Sequence, residues 1–143
     1  MMKCFNVWLV VMCSAVACSA HAEDSVATEK SYLLTPATEP TPLSVGKSCQ
    51  YKITIAPKSP WVLKTVTPLK ADLKATDGIK LMKTTLTAAD IVDPKPSAKT
   101  ITTGCEAQKK GAQTIAAELS FFLCTDQICQ RFIDKVDLAL DVQ

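Results

Sequence analysis

The chain has 143 residues, with 16 Lys and Arg against 14 Asp and Glu, a single histidine and seven cysteines. The formal net charge of +2 comes from lysines scattered among acids and threonines, which excludes the concentrated basic face that phosphate binding needs. The length suits one compact domain and is short for two.

Met1-Met2-Lys3 puts one basic residue ahead of an apolar run from Cys4 to Cys18 that only Asn6 and Ser14 interrupt. Ala20-His21-Ala22 then sets small residues where a signal peptidase reads, and the acidic Glu23-Asp24 follows. Residues 1–22 therefore read as a cleaved signal peptide, which directs the mature chain to the periplasm. A membrane anchor is the competing reading, but a span needs about 20 apolar residues and this run is shorter. A lipid on Cys18 is a third, with Ala15 a poor match for the large aliphatic residue such a signal carries.

Cleavage removes His21, and with it every catalytic triad, Cys/His nucleophile pair and histidine-containing metal site. It leaves 15 basic against 14 acidic residues and no membrane span in the mature chain. No cofactor is expected.

Residues 23–43, with Pro36, Pro40 and Pro42 among Thr, Ala, Ser and Glu, read as a flexible tether. Residues 44–143 read as a single domain. In it Tyr51, Ile53 and Ile55 alternate with polar neighbours and predict a strand. Leu69, Ala71, Leu73 and Ala75 predict a second. Thr76-Asp77-Gly78, with glycine supplying positive φ, then predicts a hairpin turn into Ile79-Lys80-Leu81. Thr87 to Lys99 reads as a long connection, with a short helical turn possible over 84–92, before a strand near Thr100 to Ala107. Lys109-Lys110-Gly111 turns the chain again.

Ile115, Ala117, Leu119, Phe121 and Leu123 make one face of a long strand, and Val136, Leu138, Leu140 and Val142 one face of another. A short loop separates the two. About seven short strands in this length and no convincing amphipathic helix predict an all-β, immunoglobulin-like β-sandwich.

The mature chain keeps Cys49, Cys105, Cys124 and Cys129. In an oxidising compartment disulfides are the default, and spacing leaves three pairings open. A four-cysteine zinc site lacks the two close pairs it ordinarily shows. Chain entropy makes a Cys49/Cys105 link worth about 4 kcal/mol and a Cys124/Cys129 link only about 2. That difference favours a structural disulfide at Cys49 and Cys105 and an exchangeable one at Cys124 and Cys129. The bland alternative is that Cys124/Cys129 only pins a hairpin. Arg131 and Lys135 are the cations near this pair in sequence, and Asp126 is an opposing charge.

Trp61, Pro68-Leu69, Asp77-Gly78-Ile79 and above all Phe121-Phe122-Leu123-Cys124-Thr125-Asp126-Gln127-Ile128-Cys129 resemble the periplasmic N-terminal domain of the thiol:disulfide interchange protein DsbD. The resemblance spans most of residues 48–142. It implies an immunoglobulin-like sandwich whose two cysteines, here Cys124 and Cys129, pass electrons between a thioredoxin-like domain and periplasmic acceptors. The chain departs from the family's pattern in several places. Gln130-Arg131-Phe132 stands where the family has proline, no aromatic cap loop is evident, and Cys49 and Cys105 are additions. Neither the membrane electron conduit nor the thioredoxin-like domain is present, so a separate periplasmic thioredoxin-like protein, or another thiol-disulfide partner, is expected.

Two functions follow. One is a periplasmic thiol-disulfide carrier acting through Cys124 and Cys129. The other is a non-catalytic binding module in which both disulfides are structural. Trp61, flanked by Val62 and Leu63, is expected in the core rather than in a recognition groove.

Overall fold

A computed structural model describes residues 30–95 and 97–143; the signal-peptide reading of residues 1–22, and the lipid alternative at Cys18, lie outside them. The alternating segments become strands as their periodicity requires. β2 (Ser48–Pro57) buries Cys49, Tyr51, Ile53 and Ile55, and β3 (Leu69–Ala75) buries Leu69, Ala71 and Leu73. The long β8 (Gly111–Cys124) buries Gln113, Ile115, Ala117, Leu119, Phe121 and Leu123. Its partner β9 (Cys129–Val142) half-buries Phe132, Val136, Leu138 and Leu140. Side chains at every second position meet between the sheets, where burying each large apolar group contributes about 1.5–3 kcal/mol.

The remaining strands are β1 (Tyr32–Glu39), β4 (Ile79–Leu81), β5 (Thr85–Thr87), β6 (Ile91–Asp93) and β7 (Lys99–Ala107). One sheet has the order β1-β2-β7-β4, with β6 also on β7, and the other the order β5-β3-β8-β9. All their pairings are antiparallel. Taking β1, β2, β3, β6, β7, β8 and β9 as strands A to G gives A-B-E-D against C-F-G, the order of an immunoglobulin domain. The fold is thus an all-β, immunoglobulin-like sandwich, with β4 and β5 as short additions.

Three local expectations need correction. The stretch read as a tether over 23–43 contains β1, which pairs with β2 from Tyr32↔Pro57 to Glu39↔Gln50. An edge strand needs few apolar residues, because its neighbour supplies the ladder and its outer side tolerates a proline such as Pro36. Tyr32 and Thr38 are its buried anchors, and Leu43 is buried just after it. Beyond β1 the chain crosses to the other sheet, where Leu43 bridges Val142 in parallel and Val45 N–H donates to Gln143 O at 3.0 Å. The domain therefore includes residues 31–43, which the sequence reading placed in the tether.

β3 and β4 do not form a hairpin. They lie in different sheets, so the turn between them carries the chain across the sandwich. Gly78 is not at positive φ either; among the described residues Gly46 and Gly111 are there, at 75° and 95°. Gly78 is needed for space, since a Cβ on it would lie 2.2 Å from the Gln113 amide. Gln113 Oε1 accepts from Thr76 Oγ1 at 2.5 Å and from Gly78 N–H at 3.2 Å, which satisfies a buried polar side chain and pins the crossing.

The long connection before β7 holds β6 and a single 3-10 turn, Ala88–Asp90, closed by a Thr87/Asp90 capping box. The β8–β9 hairpin forms as expected, in register from Gly111↔Val142 to Cys124↔Cys129.

Candidate functional site at the disulfide end of the sandwich

Both expected cysteine pairs are disulfides, the state that an oxidising compartment outside the cytoplasm maintains. Cys49 and Cys105 are register partners on the neighbouring strands β2 and β7, so their bond lies within one sheet. Both are buried, at 5% and 0% exposure. That link is shielded from any thiol in solution while the sandwich stays folded.

The Cys124–Cys129 bond closes the open end of the β8–β9 hairpin, with Cα atoms 4.0 Å apart. Its two halves face different environments. Cys124 is 0% exposed, whereas Cys129 stands in solvent. The β2–β3 connection pairs with the backbone of Cys124. Val62 bridges it, each residue's N–H donating to the other's carbonyl at 2.9 Å. Leu63, 5% exposed, follows on the core side.

The four-residue loop is held by its own first residue. Thr125 Oγ1 accepts from the N–H groups of Gln127 and Ile128, each at 3.2 Å, and Thr125 N–H donates to Ile128 O at 2.7 Å. This hydroxyl-centred turn leaves Asp126 and Gln127 in solvent and Ile128 57% exposed. Pro60 and the loop line a shallow recess beside it.

Beneath the loop sits an aromatic cluster. Phe121 and Phe132, cross-strand partners in the hairpin, stack with centroids 6.0 Å apart. Tyr32 meets both edge-on, at 5.0 and 5.3 Å, and Trp61 meets Phe132 edge-on at 5.7 Å. Such contacts add about 0.5–1.5 kcal/mol each beyond area burial, so this end of the hairpin rests on a stiff floor. Trp61, expected in the core, is half-buried at its rim.

One polar group ties the cluster to β1. Asp134 Oδ2 accepts from Tyr32 Oη at 3.0 Å and from Lys30 Nζ at 2.7 Å. Burial pushes the Asp134 carboxyl up, but the Lys30 ammonium, the Lys135 N–H and the Tyr32 hydroxyl outweigh it, and the group titrates below the usual carboxylate range. The Tyr32 phenol is pushed up to about 12, first by burial and then by its bond to Asp134 and that carboxylate's charge.

The Phe121/Phe132 pair was legible in principle, because each phenylalanine stands three positions from a cysteine of the loop. Tyr32, Lys30 and the Val62 bridge carried no comparable signal. Among the described residues no cluster of His, Cys, Asp or Glu could hold a metal ion, and no helix is long and apolar enough to cross a membrane.

No protein-family model matches the chain, and no curated protein matches it. A solved structure similar to it is that of AggA, the major subunit of aggregative adherence fimbriae type I from Escherichia coli. The two are 9% identical, with a TM-score of 0.41 over 80% of this chain and 97% of that one. A likeness of that degree carries nothing about function to this chain, and the fold assignment rests on the sheet order.

Proposed function

We propose that the protein is a periplasmic thiol-disulfide carrier that exchanges through Cys124 and Cys129. The observation that carries the reading is the split exposure of this pair, with Cys124 buried where Val62 bridges it and Cys129 an exposed residue. A partner thiolate has one approach. It attacks Cys129 Sγ, a bond forms between the partner sulfur and Cys129, and the Cys124–Cys129 bond breaks. The electron pair leaves on Cys124 Sγ, which takes a proton from solvent. A second partner thiolate then attacks the partner's own sulfur in the mixed disulfide and releases Cys129. Two electrons have moved, the partner dithiol has become a disulfide, and both cysteines here are reduced. The reverse sequence passes the electrons on.

The resemblance of the segment around these cysteines to the DsbD N-terminal domain supports the same roles and a thioredoxin-like partner. The signal-peptide reading supports the compartment. The Cys49–Cys105 bond takes no part, being buried within a sheet.

The second reading, a binding module with two structural disulfides, is favoured by the direct register of Cys124 with Cys129, which suits a simple hairpin pin. Trapping separates the two. Cys124→Ser leaves the exposed thiol alone, and with a thioredoxin-like protein whose resolving cysteine is replaced by serine and whose remaining cysteine is activated as a thionitrobenzoate mixed disulfide, it should displace thionitrobenzoate and accumulate a long-lived mixed disulfide. Cys129→Ser leaves only the buried thiol and should accumulate far less. No adduct with either variant would leave the binding-module reading in place.

A further inference from the structure

We infer that the outer face of the β3–β8–β9 sheet beside Cys129 is a docking surface for an extended partner segment carrying a carboxylate next to an apolar side chain, with Arg131 as the group that holds the carboxylate. The inference rests on the exchange reading in one respect, that the partner must sit beside the reachable sulfur.

The hairpin register sets the geometry. Phe122↔Arg131 lies two positions along from Cys124↔Cys129, and Ser120↔Ile133 two positions further. Positions two apart share a face of the sheet, so Arg131 lies about 7 Å along the strand from Cys129 and on its side. Here the surface dips into a recess lined by Pro68, Leu69, Lys70, Ser120, Phe122 and Arg131. Phe122 is half-buried, and Ile133, 60% exposed, stands just beyond. The recess therefore offers apolar contact.

Its two cations differ. Lys70 is held by Asp72 at 2.8 Å. Arg131 is exposed and pairs with no carboxylate among the described residues; its Nε donates to Ser120 Oγ at 2.9 Å. That bond fixes the guanidinium plane and leaves the terminal N–H groups for a two-point contact with a carboxylate. Further along the same face the charges are neutralised within the protein, as in Lys135 with Glu118 at 3.3 Å. Near the disulfide the face thus presents an oriented, unneutralised cation beside the half-buried Phe122. An acidic-apolar segment is its complement.

The test uses three acetylated, amidated tetrapeptides: leucine-glutamate-cysteine-alanine, its glutamine counterpart, and the glutamate peptide with serine replacing cysteine. At low salt the glutamate peptide's thiol should open the loop disulfide about two- to five-fold faster than the glutamine peptide's, the range expected of an exposed ion pair. The preference should vanish in Arg131→Gln and at high salt, and be partly retained in Arg131→Lys. Dithiothreitol should react equally with all three proteins. The serine peptide should shift the amide resonances of Phe122, Arg131 and Ile133 with no exchange taking place. Exchange without the preference and without those shifts overturns the docking surface and leaves the carrier reading standing. Shifts without any thiol exchange overturn the carrier reading and support the docking surface.

Discussion

Val62 and Cys124 exchange two backbone hydrogen bonds of 2.9 Å, and this contact between distant parts of the chain falls on the buried half of the loop disulfide. Val62→Pro removes the N–H that donates to Cys124 O. In the reduced protein, the wild type should be alkylated at Cys129 well before Cys124, and the variant should label both at similar rates. The lost bond should cost about 1–3 kcal/mol in urea unfolding.

The two disulfides should differ in what they contribute to stability. Replacing Cys49 and Cys105 together by alanine should cost about 4 kcal/mol or more, since the link closes a long loop and the site is buried. Replacing Cys124 and Cys129 should cost about 2 kcal/mol or less. Equal losses in chemical denaturation would contradict the division between a structural and a working bond.

How far the sequence speaks can be judged strand by strand. β2, β3, β8 and β9 were legible because each buries alternate residues on one face, and the Cys124–Cys129 loop was legible because two such strands flank it. β1 was not: an edge strand with Pro36 and few apolar residues has the composition of a linker, and only its ladder with β2 identifies it. The Thr76-Asp77-Gly78 turn announced a reversal without saying into which sheet the chain would go. Likewise nothing in the sequence distinguished the two loop cysteines, because the segment that bridges Cys124 at Val62 comes from another part of the chain.

Tyr51 is fully buried, and its hydroxyl has no hydrogen-bond partner among the described residues. Burial, helped by the charge of Asp137, pushes the phenol up to about 12, so the group stays neutral at working pH. An unpaired buried hydroxyl costs about 1–3 kcal/mol, so Tyr51→Phe should leave stability unchanged or raise it by about 1 kcal/mol. A loss of that size in thermal unfolding would mean that the hydroxyl has a partner.

Asp134 should make β1 sensitive to acid. Its folded-state pKa is depressed, so the stability it adds is present above the unfolded value of about 3.9 and is lost as pH falls through the folded value. At pH 7 Asp134→Asn should cost about 1 kcal/mol, and the gap to wild type should close as pH drops below about 4. A gap that stays constant down to pH 2 would remove the charge from the explanation.

The most direct measurement of the central claim is a titration of the oxidised protein with reduced glutathione, with each disulfide quantified by alkylation and peptide mass spectrometry. The Cys124–Cys129 bond should open first, at concentrations that leave Cys49–Cys105 intact, and the glutathione adduct should be found on Cys129. Resistance of the loop bond equal to that of the buried one, or an adduct on Cys124, would contradict the account.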